Sequence, residues 1–95
     1  MAAYLLSHVT IKDPELWGRY VRAVAGTFTP FGGEFVVRGV RGDVLAGKHS
    51  HTHMALIRFP NEDAVRDWYD SPAYQELAKV RAKAADVDFI VFREL

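Results

Sequence analysis

Residues 3–15 read AYLLSHVTIKDPE, and this stretch decides the fold. In its first part Tyr4, Leu6, His8 and Thr10 alternate with Leu5, Ser7, Val9 and Ile11, a period of two that predicts a strand over residues 3–11 with two different faces. Asp13 then offers a helix N-cap, Pro14 suits the first helical position, and Glu15 meets the positive end of the helix dipole. The chain therefore opens as a strand followed at once by a helix.

Downstream, Trp17, Tyr20, Val21, Val24 and Phe28 recur at helical spacing and form one apolar stripe, while Arg19, Arg22 and Gly26 fall elsewhere on the wheel. Pro30 and Gly32-Gly33 stop that helix and permit a tight return. Residues 34–38 read as a second strand, followed by a glycine-spaced irregular stretch with room for a short extension at 43–46. A third strand spans about 52–59, closed by Pro60, and Asn61 caps a short helix in which Ala64, Val65 and Trp68 mark one face. Asp70-Ser71-Pro72 interrupts it, with Ser71 as the cap of a second helix whose inward face is Tyr74, Leu77, Ala78 and Arg81. Alanines 82, 84 and 85 favour helix to its end, and residues 87–94 alternate as a fourth strand.

The order is β-α-β-β-α-β, the split arrangement of a ferredoxin-like α+β fold, with helices on one face of a four-stranded antiparallel sheet in a single domain over residues 1–95. The other face carries apolar groups from strands one and four. A monomer would leave that patch in water, so a homodimer through the sheet face is expected. Size argues the same way, because a chain of 95 residues buries only roughly 60–65% of its unfolded surface and gains core from a second subunit.

Composition narrows the partners. Twelve basic residues balance twelve acidic ones, so no broad positive field is present to attract nucleic acid. There is no cysteine, which excludes disulfides, thiolate catalysis and cysteine-ligated metals. No run of about 18 apolar residues predicts a membrane span. The apolar start lacks a charged region and meets His8, Lys12 and Asp13 too soon for a signal sequence, so a cytoplasmic location is expected. Gly39, Gly42 and Gly47 match neither nucleotide fingerprint, and no cofactor is predicted.

Several phrases are more specific than the topology: Asp13-Pro14-Glu15, Gly32-Gly33 before a strand ending Arg38-Gly39, Phe59-Pro60, and Trp68-Tyr69-Asp70-Ser71-Pro72-Ala73-Tyr74-Gln75. Together they resemble the domain of unknown function 1330 family over nearly the whole chain. The resemblance implies a dimeric α/β barrel, an architecture also used by small monooxygenases, muconolactone-isomerase-like enzymes and dye-decolourising relatives, with two sheets facing each other around a cavity. It implies no established activity. The chain departs from the family pattern at Lys48-His49, where Asp-Trp is frequent, and at His53, where Arg is common.

Among chemistry-bearing residues, Arg38 stands first: a guanidinium held against a cavity would bind a carboxylate or enolate through two parallel hydrogen bonds. Its alternative is a salt bridge with Glu34, read as sharing its face along with Val36. His8, beside Tyr4 and Leu6 on the intersubunit face, is either a proton carrier near neutral pH or a satisfied core histidine. The alternating His49, His51 and His53 would share one face if they lay on a strand, and with His8 or an acid could ligate a metal. Gly47-Lys48 before them suggests instead an exposed loop, and no metal is assigned. Trp68, Tyr69 and Tyr74 either line a pocket for a flat apolar ligand or, for Trp68 above all, belong to the core. Ser71 reads as a cap and not as a nucleophile.

The expected site is therefore His8, Arg38 and His53 for chemistry, with Tyr4, Arg38, Trp68, Tyr69 and Tyr74 for substrate binding. The function predicted is that of a small-molecule-binding protein, either a cofactor-independent isomerase- or monooxygenase-like enzyme acting on an apolar carbonyl- or carboxylate-bearing metabolite, or a non-catalytic binding or accessory module.

Overall fold

A computed structural model describes residues 1–95. Strand β1 (Ala3–Ile11) leads through the Asp13 cap, whose carboxylate accepts from Leu16 N at 3.2 Å, into α1 (Pro14–Phe28). A short 3-10 turn over Thr29–Phe31 follows, then β2 (Glu34–Val40) and β3 (His53–Phe59). Helices α2 (Glu62–Asp70) and α3 (Pro72–Ala84) come next, capped by the side chains of Asn61 and Ser71, and β4 (Ala85–Arg93) completes a sheet of order β2-β3-β1-β4. Every adjacent pair is antiparallel. With its helices on one side of the sheet, the fold is ferredoxin-like α+β.

The register sorts the faces. Ala3, Leu5, Ser7 and Val9 of β1 are all buried, and tyrosine, valine and phenylalanine from α1 (Tyr20, Val24, Phe28) close over them with Val65, Trp68 and Tyr74. The intervening Tyr4, Leu6, His8 and Thr10 point the other way. Across the sheet, Leu6 lies beside Leu56 of β3 and Ile90 of β4, and Leu56 beside Val37 of β2. An apolar row thus crosses all four strands on a face that no helix covers, and the molecule is correspondingly thin, 35 × 33 × 17 Å.

Four local readings are corrected. The 43–46 segment is not a strand; Leu45 stands 94% exposed there. Strand β2 runs on to Val40, and β3 begins at His53 instead of residue 52. Ala85 is strand, not helix, although alanine favours helix. The cause is tertiary: the carbonyl of Ala84 accepts from both Lys12 N and Asp13 N at 2.9 Å, and Ala85 pairs with Ile11, so α3 passes into β4 with no linker.

The return after α1 requires glycine. Gly32 has φ +78°, and a Cβ there would sit 2.6 Å from Pro60 Cγ. Gly32→Ala should cost about 1–2 kcal/mol for the left-handed backbone, with more for the overlap. A thermal melt should register a fall in Tm of roughly 5–10 °C or more, and an unchanged melt would show that this turn is not strained.

Candidate functional site

Antiparallel register places Arg38, Ala55, Ser7 and Phe89 in one row on the helix-covered face. Ala55, Ser7 and the neighbouring Gly39 are small, so space remains between β2, β3 and α1. It forms an outer hollow of about 240 Å³ bordered by Trp17, Arg38, Val40 and His53. The hollow shares Trp17, Arg38 and Ala55 with an inner chamber of about 40 Å³ walled by Tyr20, Phe35, Ile57, Trp68 and Phe89, with Ser7 on its floor. Together they fall just short of the roughly 300–1,000 Å³ usual for ligand pockets, so a single-ring compound is the natural occupant.

Arg38 reaches this face because of a β-bulge. The β2–β3 register shifts between Phe35 and Val37, so Phe35 and Arg38 lie on the same side, with the guanidinium 5.9 Å from the Phe35 ring centroid. The expected sharing of a face with Glu34 and Val36 is thereby overturned: Glu34 is on the open face, where it meets Arg58 at 3.7 Å. Arg38 has no carboxylate partner among the ion pairs of the chain. His53 also faces the hollow, its Nδ1 2.8 Å from the Thr52 hydroxyl.

The inner wall carries a polar chain. Arg81 Nη1 donates to Tyr74 Oη at 2.7 Å, and Tyr74 Oη lies 2.9 Å from Tyr20 Oη. Burial, with the adjoining Tyr74 hydroxyl, pushes the Tyr20 phenol far above its ordinary range. Burial likewise raises Tyr74, against the pull of its Tyr20 hydrogen bond and of the Arg81 cation. Both phenols are therefore neutral donors rather than bases.

The expected chemical trio is not one site. Arg38 and His53 face the helices, whereas His8, like Tyr4, lies on the open face. The histidine run divides the same way. Only His53 lies in a strand; His49 and His51 precede it and fold over the open face, their rings 4.7 and 6.2 Å from that of His8. His51 is fixed by Thr10 Oγ1 at 2.9 Å and Asp88 Oδ2 at 3.0 Å, and Arg41 donates to the carbonyls of His49 and His51. Burial first, then the neighbouring His49 and His51, hold His8 below the usual imidazole range. No group of three or more His, Asp or Glu side chains is arranged to hold a metal ion.

The aromatic candidates also separate. Trp68 is fully buried, its ring 4.2 Å from Tyr74 and 5.6 Å from Phe59, and its indole N–H donates to Thr27 Oγ1 at 3.0 Å. It is a core residue with one edge on the inner chamber. Tyr74 is equally buried and stands behind Tyr20. Tyr69 lies outside, 40% exposed, against a separate hollow between α2 and β4. Trp17, Tyr20, Ser7 and Phe89 were not singled out by sequence. The available signal was Ser7, a lone hydroxyl between Leu5 and Val9 on an otherwise apolar strand face, which marks a place where the packing is incomplete.

No curated protein matches the chain. The protein of unknown function RPA0582 from Rhodopseudomonas palustris is 22% identical, with 99% of this chain and 82% of that one covered at a TM-score of 0.84. SnoaB, a cofactor-independent oxygenase from Streptomyces nogalater, is 14% identical over 99% of this chain and 93% of its own, at 0.73. A dimeric ferredoxin-like protein of unknown function from Jannaschia sp. CCS1 is 15% identical over 99% and 100%, at 0.74. These likenesses establish a shared fold. The family model for Domain of unknown function (DUF1330) matches residues 2–95, and the chain, carrying the Trp-Tyr-Asp-Ser-Pro-Ala-Tyr segment across its α2–α3 junction, belongs to that family.

Proposed function

We propose that the chain is a small-molecule-binding protein, a cofactor-independent enzyme of isomerase- or monooxygenase-like type acting on an apolar, single-ring-sized metabolite that carries a carbonyl or carboxylate. The observation that carries this reading is Arg38, a cation without an acidic partner at the mouth of a cavity walled by Trp17, Tyr20 and Phe89. An aromatic wall with one charge at its rim suits a flat ligand bearing a negative oxygen, which the guanidinium would hold and whose growing charge it would stabilise. His53 at the same rim is the group available to move a proton. SnoaB, described as a cofactor-independent oxygenase, adds fold-level analogy. The uncovered apolar row Val37, Leu56, Leu6 and Ile90 supports a homodimer through the open face, as does the dimeric description of the Jannaschia protein.

Turnover of a panel of lactones, quinones and phenols, measured against pH, tests the reading. Arg38→Ala is expected to lower kcat/KM by about 10- to 100-fold, the worth of a charge-assisted hydrogen bond. Unchanged turnover would remove Arg38 from the mechanism.

A second reading, a non-catalytic binder, is favoured by the lining itself: no carboxylate borders either space, and the phenols at the inner wall are held neutral. A compound that raises Tm and is recovered intact after long incubation selects this reading over catalysis.

A further inference from the structure

Two phenolic hydrogens and one available protein acceptor define the inner wall. Arginine can only donate, so Tyr74 Oη accepts from Arg81 at 2.7 Å. Tyr74 and Tyr20 then share one hydrogen across 2.9 Å, and the other phenolic hydrogen makes no hydrogen bond within the chain. If Tyr20 donated, the spare hydrogen would belong to Tyr74, which is fully buried among Trp68, Tyr69 and Phe89. An orphaned donor there is costly. If Tyr74 donates, the spare hydrogen belongs to Tyr20, whose side chain walls the inner chamber. The Arg81 cation favours the second order, because it draws electrons from the Tyr74 oxygen and strengthens that hydroxyl as a donor.

We propose that Arg81, acting through Tyr74, orients the Tyr20 hydroxyl as a fixed hydrogen-bond donor into the chamber, where it binds a carbonyl oxygen at the deep end of the ligand. This rests on the cavity reading above and deepens it. The ligand is an aromatic or quinonoid ring with an anionic group held by Arg38 at the rim and a carbonyl opposite. Tyr20 touches the ligand; Tyr74 and Arg81 are positioning residues. Because burial keeps Tyr20 protonated at every ordinary pH, it stabilises negative charge growing on that oxygen and does not abstract a proton.

The test uses two probes of matched shape, 4-formylbenzoate and 4-methylbenzoate, titrated against the full chain. Wild type is expected to prefer the aldehyde by about 3- to 10-fold, the worth of one hydrogen bond, and to shift its carbonyl stretch to lower frequency on binding. Tyr20→Phe, which keeps the ring, should abolish both the preference and the shift. Arg81→Met should weaken the shift and Arg81→Lys restore part of it, a response that simple loss of packing would not produce. Should both probes bind in an Arg38-dependent way, with no preference and no shift in wild type, the donor assignment is overturned and the cavity reading stands. Failure of both probes to bind, or binding indifferent to Arg38→Ala, overturns the two together.

Discussion

Trp68→Ala is expected to destabilise the fold by about 3–5 kcal/mol, the range for deleting a large buried aromatic. Trp68 has no exposed surface and touches the side chains of Phe28, Phe59, Tyr74 and Phe89, so alanine would leave a cavity that four rings cannot collapse to fill. Its indole N–H also ties α2 to α1 through Thr27, whose hydroxyl passes the bond on to the Val24 carbonyl. Small domains have only about 5–15 kcal/mol of net stability, and each lost kcal/mol lowers Tm by roughly 4–8 °C at this size. A calorimetric Tm at least about 12 °C below wild type is therefore expected. Trp68→Phe should fall between the two, retaining most of the ring packing and losing the hydrogen bond. A variant melting within about 2 °C of wild type would mean that this side chain does not support the core as its burial implies.

Leu6→Asp should convert a dimer into monomers. Leu6 lies in the middle of the uncovered apolar row, between Leu56 and Ile90. In a twofold interface each change occurs twice, so one substitution buries two unpaired carboxylates at several kcal/mol each. The dissociation constant should rise at least about 1,000-fold. Because Leu6 points away from the helices, the far-ultraviolet circular dichroism should remain that of the wild type. Sedimentation of the wild type as a lone subunit at micromolar concentration, or an unaltered dimer in the variant, would show that this face is not the interface.

Local signals made most of the fold legible. Strand β1 announced itself by strict alternation, and the caps Asp13, Asn61 and Ser71 each stand where a short polar side chain precedes a helical run. The candidate site was less legible because it depends on register. Phe35-Val36-Val37 is apolar throughout, so nothing in those residues reveals which one is extra, and the bulge carries Arg38 to the face opposite the one alternation assigned. His8 and Arg38 were accordingly grouped in one expected site although the sheet separates them. The histidine triplet left two readings open for a related reason: equal spacing puts side chains on one face only inside a strand, and His49 and His51 lie outside it, in the loop that Gly47-Lys48 suggested. The phenol pair escaped notice because Tyr20 and Tyr74 are 54 positions apart: taken alone, Tyr20 reads as core and Tyr74 as either core or pocket lining.

The direct passage from α3 into β4 bears on how a ligand would get in. The Ala84 carbonyl, held by the backbone amides of Lys12 and Asp13 just ahead of α1, ties the end of α3 to the β1–α1 junction. That flank bears Tyr74 and Arg81 on one continuous helix running into β4. The opposite margin, where β2 is the outer strand, carries no such helix-to-strand junction, so it is the side of the cavity with the freer edge. A ligand would then enter past Arg38 on the β2 side, with Tyr20 at the wall that the α3–β4 junction braces.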